Sequence, residues 1–133
     1  MLRMRVSDAM SRELNRTGPE TTIAEAASLM AQRRVGSTLV VAGERLLGIF
    51  TERDILRAVS HDASAMHESL EHWMTRRPRT VTPESDLDEA LRIMVEGGFR
   101  HLPVTEEGQL IGMLSMRDIS RVSLEQDQPA ELS

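Results

Sequence analysis

The chain has 133 residues and a formal net charge of −5, and 40% of its residues are hydrophobic and 28% charged. This length and balance are typical of one compact domain, or of two halves that share a core, and are too apolar for general disorder. The acidic balance opposes sequence-independent binding to a nucleic-acid backbone, which relies on many Lys and Arg contacts. We find no membrane-spanning run and no signal peptide, so we expect a cytoplasmic protein.

The residue types narrow the possible chemistry. The chain has no cysteine, which excludes disulfides, thiolate nucleophiles and thiolate metal sites. All sixteen basic residues are arginine, so a P-loop lysine and Schiff-base chemistry are excluded as well. His61, His67 and His72 lie close in sequence, but their spacing does not place them on one helix face, and we predict no metal site. No nucleophile motif is present, so we predict that the chain is not an enzyme.

The two halves of the chain are copies of one unit. A shift of 64 positions aligns them without a gap, so that Pro19-Glu20 falls on Pro83-Glu84 and Arg53-Asp54-Ile55 falls on Arg117-Asp118-Ile119. Matches in one register along the whole length indicate an internal repeat. We place the repeats at residues 3–60 and 70–123, with a linker at 61–69 and a disordered acidic tail at 124–133.

Each copy opens with a short segment, residues 6–10 or 70–74, and continues into an amphipathic helix. The patterns Thr22-x-x-Glu25 and Ser85-x-x-Asp88 predict the helix starts, because a hydroxyl and an acid can cap each other's backbone amides. Apolar residues then follow at helical spacing: Ile23, Ala26, Ala27 and Met30 in the first copy, and Leu87, Ala90, Leu91 and Met94 in the second. Gly97-Gly98 predicts the end of the second helix.

A hairpin and a short helix complete each copy. The predicted strands are residues 37–41 and 46–50, then 101–105 and 110–114, and the helices are about 52–60 and 116–123. The expected fold class is α+β, a mixed α/β arrangement of two tandem repeats. Each repeat is a small, mostly antiparallel three-stranded sheet with helices on one side, and the two pack with pseudo-two-fold symmetry. One copy alone would leave an apolar sheet face exposed, so we predict that the pair is the folding unit.

The junction between the last strand and the last helix has the same form in both copies. Gly48-Ile49-Phe50-Thr51-Glu52-Arg53-Asp54 and Gly112-Met113-Leu114-Ser115-Met116-Arg117-Asp118 each bring a hydroxyl, the first amides of a helix and a carboxylate together. Free amides at a helix start suit a phosphate. The same pattern is also an ordinary helix cap, and the two roles can coexist.

These motifs, with Val6-Ser7-Asp8-Ala9-Met10 and Phe99-Arg100-His101-Leu102-Pro103-Val104, resemble those of a pair of cystathionine-beta-synthase (CBS) domains. Such a pair is often called a Bateman module, and the resemblance covers about residues 3–123, as in stand-alone bacterial-type proteins. It implies a regulatory module without a catalytic cofactor, whose ligand is AMP, ADP, ATP or S-adenosylmethionine. It also implies a homodimer and a regulated partner protein. We predict no membrane partner because no run is long enough to span one, and the acidic balance argues against nucleic acid.

The resemblance also assigns roles to residues. It implies that Asp118 accepts hydrogen bonds from both ribose hydroxyls and that Ser115 reaches a ribose or phosphate oxygen. Met113 would hold the adenine and the backbone near Val81 would read its edge, with Arg100, His101 and Arg117 supplying positive charge and Pro103 ending the family's strand pattern. The equivalent second site would use Asp54, Thr51, Ile49, Arg53 and the backbone near Thr17.

The two sites are not equal in sequence. The first copy has Leu39 in place of Pro103, and Gly36-Ser37 in place of Arg100-His101, so it lacks that local positive charge. We therefore favour the site of Asp118. The alternative is a ligand-free dimerisation or scaffold module that binds a partner protein, which would show no nucleotide response.

Overall fold

The structure is a computed structural model that describes residues 3–127. Its elements, in chain order, are α1 (Val6–Ala9), β1 (Arg16–Thr17), α2 (Ile23–Arg33), β2 (Ser37–Ala42), β3 (Arg45–Thr51), α3 (Glu52–His61), β4 (Thr75–Arg76), α4 (Leu87–Gly97), β5 (His101–Glu106), β6 (Gln109–Ser115) and α5 (Met116–Asp127). Short 3-10 helices cover Ala63–His67 and Leu70–His72. The predicted mixed α/β class, with a hairpin in each copy, is confirmed.

The chain divides into two compact units that do not follow the repeat boundaries. Leu14–Pro78 forms one, here called the contiguous unit, and Met1–Glu13 with Arg79–Ser133 forms the other, here called the split unit. The segment that opens each repeat therefore belongs to the same unit as the body of the other repeat. Residues 61–69, predicted as a linker, supply the fully buried Ala65 to the core of the contiguous unit.

The contiguous unit contains a four-stranded sheet in the order β1-β2-β3-β4. β1 runs parallel to β2, and β3 is antiparallel to both β2 and β4. The predicted sheet had three strands, and the additional strand β4 lies beyond the first repeat in sequence. The core between this sheet and its helices is formed by Ile23, Ala26, Met30, Val40, Phe50, Ala58, Ala65, Leu70 and Met74.

The split unit repeats this arrangement around the hairpin of β5 and β6. Val81 forms a parallel bridge to Val104, and Ser11 forms an antiparallel bridge to Met113. The shift of 64 positions maps Thr17 of β1 onto Val81 and Thr75 of β4 onto Ser11, so the two sheets have the same order. Its core is formed by Val6, Ala9, Val81, Leu87, Ala90, Met94, Leu102, Val104, Leu114, Ile119 and Val122.

The helix starts are capped in different ways. Thr22 caps α2 as predicted, because its Oγ1 accepts the Glu25 amide at 3.1 Å. The prediction for α4 was wrong by one position: Asp86 is the cap and accepts the Asp88 amide at 3.3 Å. The Ser85 hydroxyl instead bonds the Thr82 amide at 3.2 Å. The shift of 64 positions aligns Asp86 with Thr22, so the repeat alignment indicates the correct cap residue where the capping pattern did not.

The helix ends also differ from expectation in one place. Gly98 ends α4 in the left-handed conformation, with φ at 72°, as the Gly97-Gly98 pair predicts. α5 continues to Asp127, so residues 124–127 of the predicted disordered tail are helical. The remainder of that predicted tail, 128–133, lies outside the described residues. Within the described range, no helix has the length and apolar character needed to cross a membrane.

Candidate functional site

The β6–α5 junction of the split unit brings most of the favoured site residues together. His101 pairs across the hairpin with Ser115, and Pro103 pairs with Met113. Because side chains alternate along a strand, these four share the sheet face opposite to Leu102 and Leu114, which belong to the core. This face carries the fully buried Pro103 beside the half-buried Met113, and next to them the half-buried Ser115 and His101 at the start of α5.

Ser115 and Asp118 bond each other reciprocally. The Ser115 amide donates to Asp118 Oδ2 at 2.9 Å, and the Asp118 amide donates to Ser115 Oγ at 3.0 Å. The capping role predicted for this pair is therefore present. The Arg100 carbonyl accepts the Met116 amide at 2.8 Å, which holds the exposed Arg100 beside the first turn of α5.

The second carboxylate oxygen of Asp118 is less engaged. Its Oδ1 lies 3.6 Å from Arg121 Nη2, which is longer than a hydrogen bond, and the side chain keeps 20% of its exposure. A carboxylate can accept about four hydrogen bonds, so Asp118 retains the capacity for two more donors. A shallow cavity of about 590 Å³ runs along α5 here, and Arg117, Asp118 and Arg121 contribute to its lining.

Val81 lies at the edge of this unit's sheet. Its amide donates to the Pro103 carbonyl at 3.1 Å, its carbonyl accepts the Thr105 amide at 2.9 Å, and its side chain belongs to the core. Both backbone groups of Val81 are thus engaged in the sheet. Thr17 is its equivalent in the contiguous unit, and its buried hydroxyl lies 3.1 Å from the Thr38 hydroxyl.

The β3–α3 junction of the contiguous unit has the same pairing of a hydroxyl residue with an aspartate, but this aspartate accepts more hydrogen bonds. Asp54 Oδ2 accepts the Thr51 amide at 2.9 Å and the Thr51 hydroxyl at 3.3 Å. Asp54 Oδ1 accepts Arg57 Nη1 at 2.8 Å, and only 7% of the Asp54 side chain is exposed. Ile49 is buried in β3, and Arg53 is exposed in the first turn of α3. Asp54 therefore accepts three hydrogen bonds, where Asp118 accepts one from the Ser115 amide.

A family model for the CBS domain matches residues 6–61 and 70–125, which together are most of the chain. The chain belongs to the CBS domain family. A 17.7 kDa protein of Acidianus ambivalens is 40% identical to this CBS pair over 109 residues, covering 80% of this chain and 65% of the relative. An Arabidopsis thaliana protein, CBSCBSPB1, is 39% identical over 116 residues, which are 86% of this chain. The chain thus spans about two thirds of the length of the first relative and 20% of the second.

Solved structures of similar fold include other CBS proteins. The CBS-domain containing protein ATU1752 from Agrobacterium tumefaciens is 34% identical with a TM-score of 0.87, and the match covers 90% of this chain and 99% of that one. CBSX2, solved in complex with AMP, is 26% identical with a TM-score of 0.81, covering 93% of this chain and 98% of that one. The tandem CBS repeat predicted from the sequence is confirmed.

Sequence reasoning missed the arginines that face the two aspartates of this CBS pair. Arg57 follows Asp54 by three positions, and Arg121 follows Asp118 by three, and both form ion pairs with them. Residues three apart are neighbours on a helix surface, so the Asp-x-x-Arg spacing was the available signal. Arg53 and Arg117 were singled out instead because they adjoin the aspartates in sequence, and Arg117 lines the same cavity as Asp118 and Arg121.

Proposed function

We propose that this CBS pair is a regulatory module that binds an adenosine nucleotide at the β6–α5 junction of the split unit. The observation that carries the proposal is the half-engaged carboxylate of Asp118. It is fixed by the Ser115 amide at 2.9 Å, and its other oxygen lies 3.6 Å from Arg121 Nη2, beyond hydrogen-bond distance. Two neighbouring hydroxyl donors, such as those of a ribose, match the acceptor capacity that remains.

The surroundings of Asp118 suit the other parts of such a ligand. Met113 is half-buried on the face that Ser115 shares, and its apolar side chain suits contact with a purine ring, whereas Pro103 beside it is fully buried. Arg117, Arg121 and Arg100 supply positive charge for phosphate, and arginine can donate two hydrogen bonds to it at once. A relative of the same fold, CBSX2, was solved in complex with AMP, which supports AMP as the first ligand to test.

In this proposal the module acts by binding and not by catalysis. A bound nucleotide alters the module only if it binds one arrangement more tightly than another, and that difference would be passed to a partner protein. We propose a homodimer as the assembly that reports the change.

The test is the thermal unfolding of the full chain in the presence of AMP, ADP, ATP or S-adenosylmethionine. A ligand at one hundred times its dissociation constant should add roughly 2.7 kcal/mol to the free energy of unfolding. We expect a raised midpoint with at least one of the four, and we expect Asp118→Ala to remove that increase.

The matched control is Asp88→Ala, which deletes an exposed carboxylate from α4 of the same unit. It should leave the nucleotide-dependent increase intact. An increase that survives Asp118→Ala, or the absence of any increase with all four ligands, contradicts the proposal.

A scaffold module is the second candidate, and exposed apolar side chains favour it. Leu56 and Val59 lie one turn apart on α3 and are 70% and 42% exposed. Apolar side chains grouped on a surface are typical of contacts between proteins. This candidate predicts a stable dimer by sedimentation together with no nucleotide-dependent rise in melting temperature.

A further inference from the structure

The arginine beside each aspartate is held differently in the two units. Arg57 Nη1 lies 2.8 Å from Asp54 Oδ1, whereas Arg121 Nη2 lies 3.6 Å from Asp118 Oδ1. The two arginines are equivalent under the shift of 64 positions, and each follows its aspartate by three residues. Local helix geometry is therefore the same, and the difference must come from the surroundings of each guanidinium.

Around Arg57 those surroundings are aromatic. The guanidinium lies 5.8 Å from the centre of the Trp73 ring, within the range of a cation–π contact. His61 packs against the same indole edge to face, with ring centres 5.9 Å apart. These rings offer Arg57 no acidic acceptor. The side chain is therefore braced on one side by Trp73 and makes its ion pair on the other side with Asp54.

Around Arg121 the equivalent positions hold acceptors instead. Ala9 takes the place of Trp73, and its carbonyl accepts from Arg121 Nη2 at 3.5 Å. Glu125 takes the place of His61, and its Oε1 lies 3.8 Å from Arg121 Nη1. The Arg121 guanidinium is therefore divided among Asp118, Glu125 and the Ala9 carbonyl, all at 3.5 Å or more. Because its contact with Asp118 is long, Asp118 can still accept hydrogen bonds from a ligand.

We propose that Arg57, braced by Trp73, substitutes for ligand hydroxyls at Asp54 and closes the β3–α3 junction to nucleotide. The proposal rests on the function proposed above and specifies which of the two junctions performs it. A ribose would have to replace a charge-assisted bond to a nearly buried carboxylate with bonds from neutral hydroxyls, which are weaker. Arg57 and Trp73 thus make the pair a one-site binder.

The test is isothermal titration of the full chain with AMP. The unsubstituted protein should bind one AMP per chain, and Arg57→Gln should bind two, because Asp54 then becomes available. The matched control is Arg45→Gln, which removes an equal charge from an exposed position at the opposite end of β3. That control should bind one AMP. Unchanged circular dichroism spectra establish that each variant is folded.

A second variant opens the junction without deleting the arginine. His61→Glu places a carboxylate four residues from Arg57, as Glu125 lies four residues from Arg121, and should draw the guanidinium away from Asp54. We expect a second AMP to bind, more weakly than in Arg57→Gln. His61→Gln adds no charge and should bind one.

The outcomes separate the two proposals. One AMP per chain in both opened variants overturns the closure by Arg57 and leaves the proposed function standing. Two AMP per chain in the unsubstituted protein also overturns the closure, since Asp54 is then available with Arg57 in place. No binding of AMP, ADP, ATP or S-adenosylmethionine by the unsubstituted protein or by either opened variant overturns both. In the double variant Asp118→Ala with Arg57→Gln, one AMP should remain, and its loss contradicts the assignment of the second site to Asp54.

Discussion

Asp54 and Asp118 are equivalent aspartates that contribute differently to folding. Asp54 accepts two hydrogen bonds from Thr51 and one from Arg57, and only 7% of its side chain is exposed. Asp118 accepts one strong bond, from the Ser115 amide, and its side chain is 20% exposed. Hydrogen bonds to charged groups contribute about 1.5–3 kcal/mol each when they are protected from water. Asp54 is therefore mainly a structural residue, and Asp118 has capacity beyond its structural role.

We predict that Asp54→Ala lowers the free energy of unfolding by about 2–4 kcal/mol and Asp118→Ala by about 1 kcal/mol, because a cap alone contributes about that much. Urea denaturation without nucleotide measures both. Asp88→Ala, at an exposed position of α4, should remain within about 0.5 kcal/mol of the unsubstituted protein. Equal losses at positions 54 and 118 would show that the two carboxylates are equally engaged.

The residue pattern predicted the caps at both junctions but not their surroundings. Thr51 with Asp54 and Ser115 with Asp118 were visible because a cap involves residues three positions apart. Trp73 is far from Arg57 in sequence, and only the fold brings its ring to the guanidinium. The difference between the two sites was predicted from Pro103, Arg100 and His101, whereas the structure adds a separate difference at Arg57.

Among the strands, the edge strand β4 passes close to β3. A Cβ added at Gly48 would lie 2.6 Å from the Thr75 carbonyl oxygen and 2.8 Å from Met74 Sδ. At Gly112, in β6, it would lie 2.9 Å from Met10 Sδ and 3.1 Å from the Ser11 carbonyl oxygen. A glycine at each position lets the opening segment of the other repeat pair with the hairpin.

We predict that Gly48→Ala costs about 2–3 kcal/mol and Gly112→Ala about 1–2 kcal/mol of unfolding free energy. The first is larger because its closest neighbour is backbone, whereas the closest neighbour of the second is a flexible methionine side chain. Chemical denaturation of the two variants compares them. Gly43→Ala tests backbone strain instead of a steric clash. A Cβ there would have no neighbour within 4 Å, but a φ of 62° disfavours any residue with a side chain, so stability should fall. A loss at Gly48→Ala no greater than at Gly112→Ala would contradict the close approach of β4.

The sequence predicted both hairpins but not β4, and the reason is physical. Period-two alternation and turn residues are local signals, and they define β2, β3, β5 and β6 within a residue or two. β4 has two residues and forms only because Gly48 and Ile49 lie opposite Arg76 and Thr75. A strand this short has no pattern of its own and exists only through its pairing.

At the scale of the whole molecule, the repeat does not define the compact units. Residues 6–10 and 70–74 occupy equivalent places in their repeats. The repeat pattern is therefore the same whether each segment packs with its own repeat or with the other one. Sequence periodicity cannot decide between the two pairings. In the structure each segment belongs with the body of the other repeat, as the bridge of Ser11 to Met113 and the pairing of Thr75 with Ile49 show.

We predict that a fragment of residues 14–78 unfolds cooperatively and that a fragment of residues 3–60 does not. The first fragment contains the sheet, both helices and every core residue of the contiguous unit, including Leu70 and Met74. The second lacks β4 and those two core residues. Circular dichroism followed through thermal unfolding distinguishes them, and a cooperative transition for 3–60 alone would contradict the division described here.

The division also sets an order of folding during translation. The contiguous unit is complete in sequence once Pro78 has left the ribosome, and domains generally fold as units while synthesis continues. The segment that carries α1 is made earlier but must wait for α4, β6 and α5, which are made after Pro78. For that interval Val6 and Ala9, both fully buried in the finished protein, have no core to enter. The α1 segment thus reaches its native contacts only after the contiguous unit is complete, and until then it exposes apolar side chains that the folded protein buries.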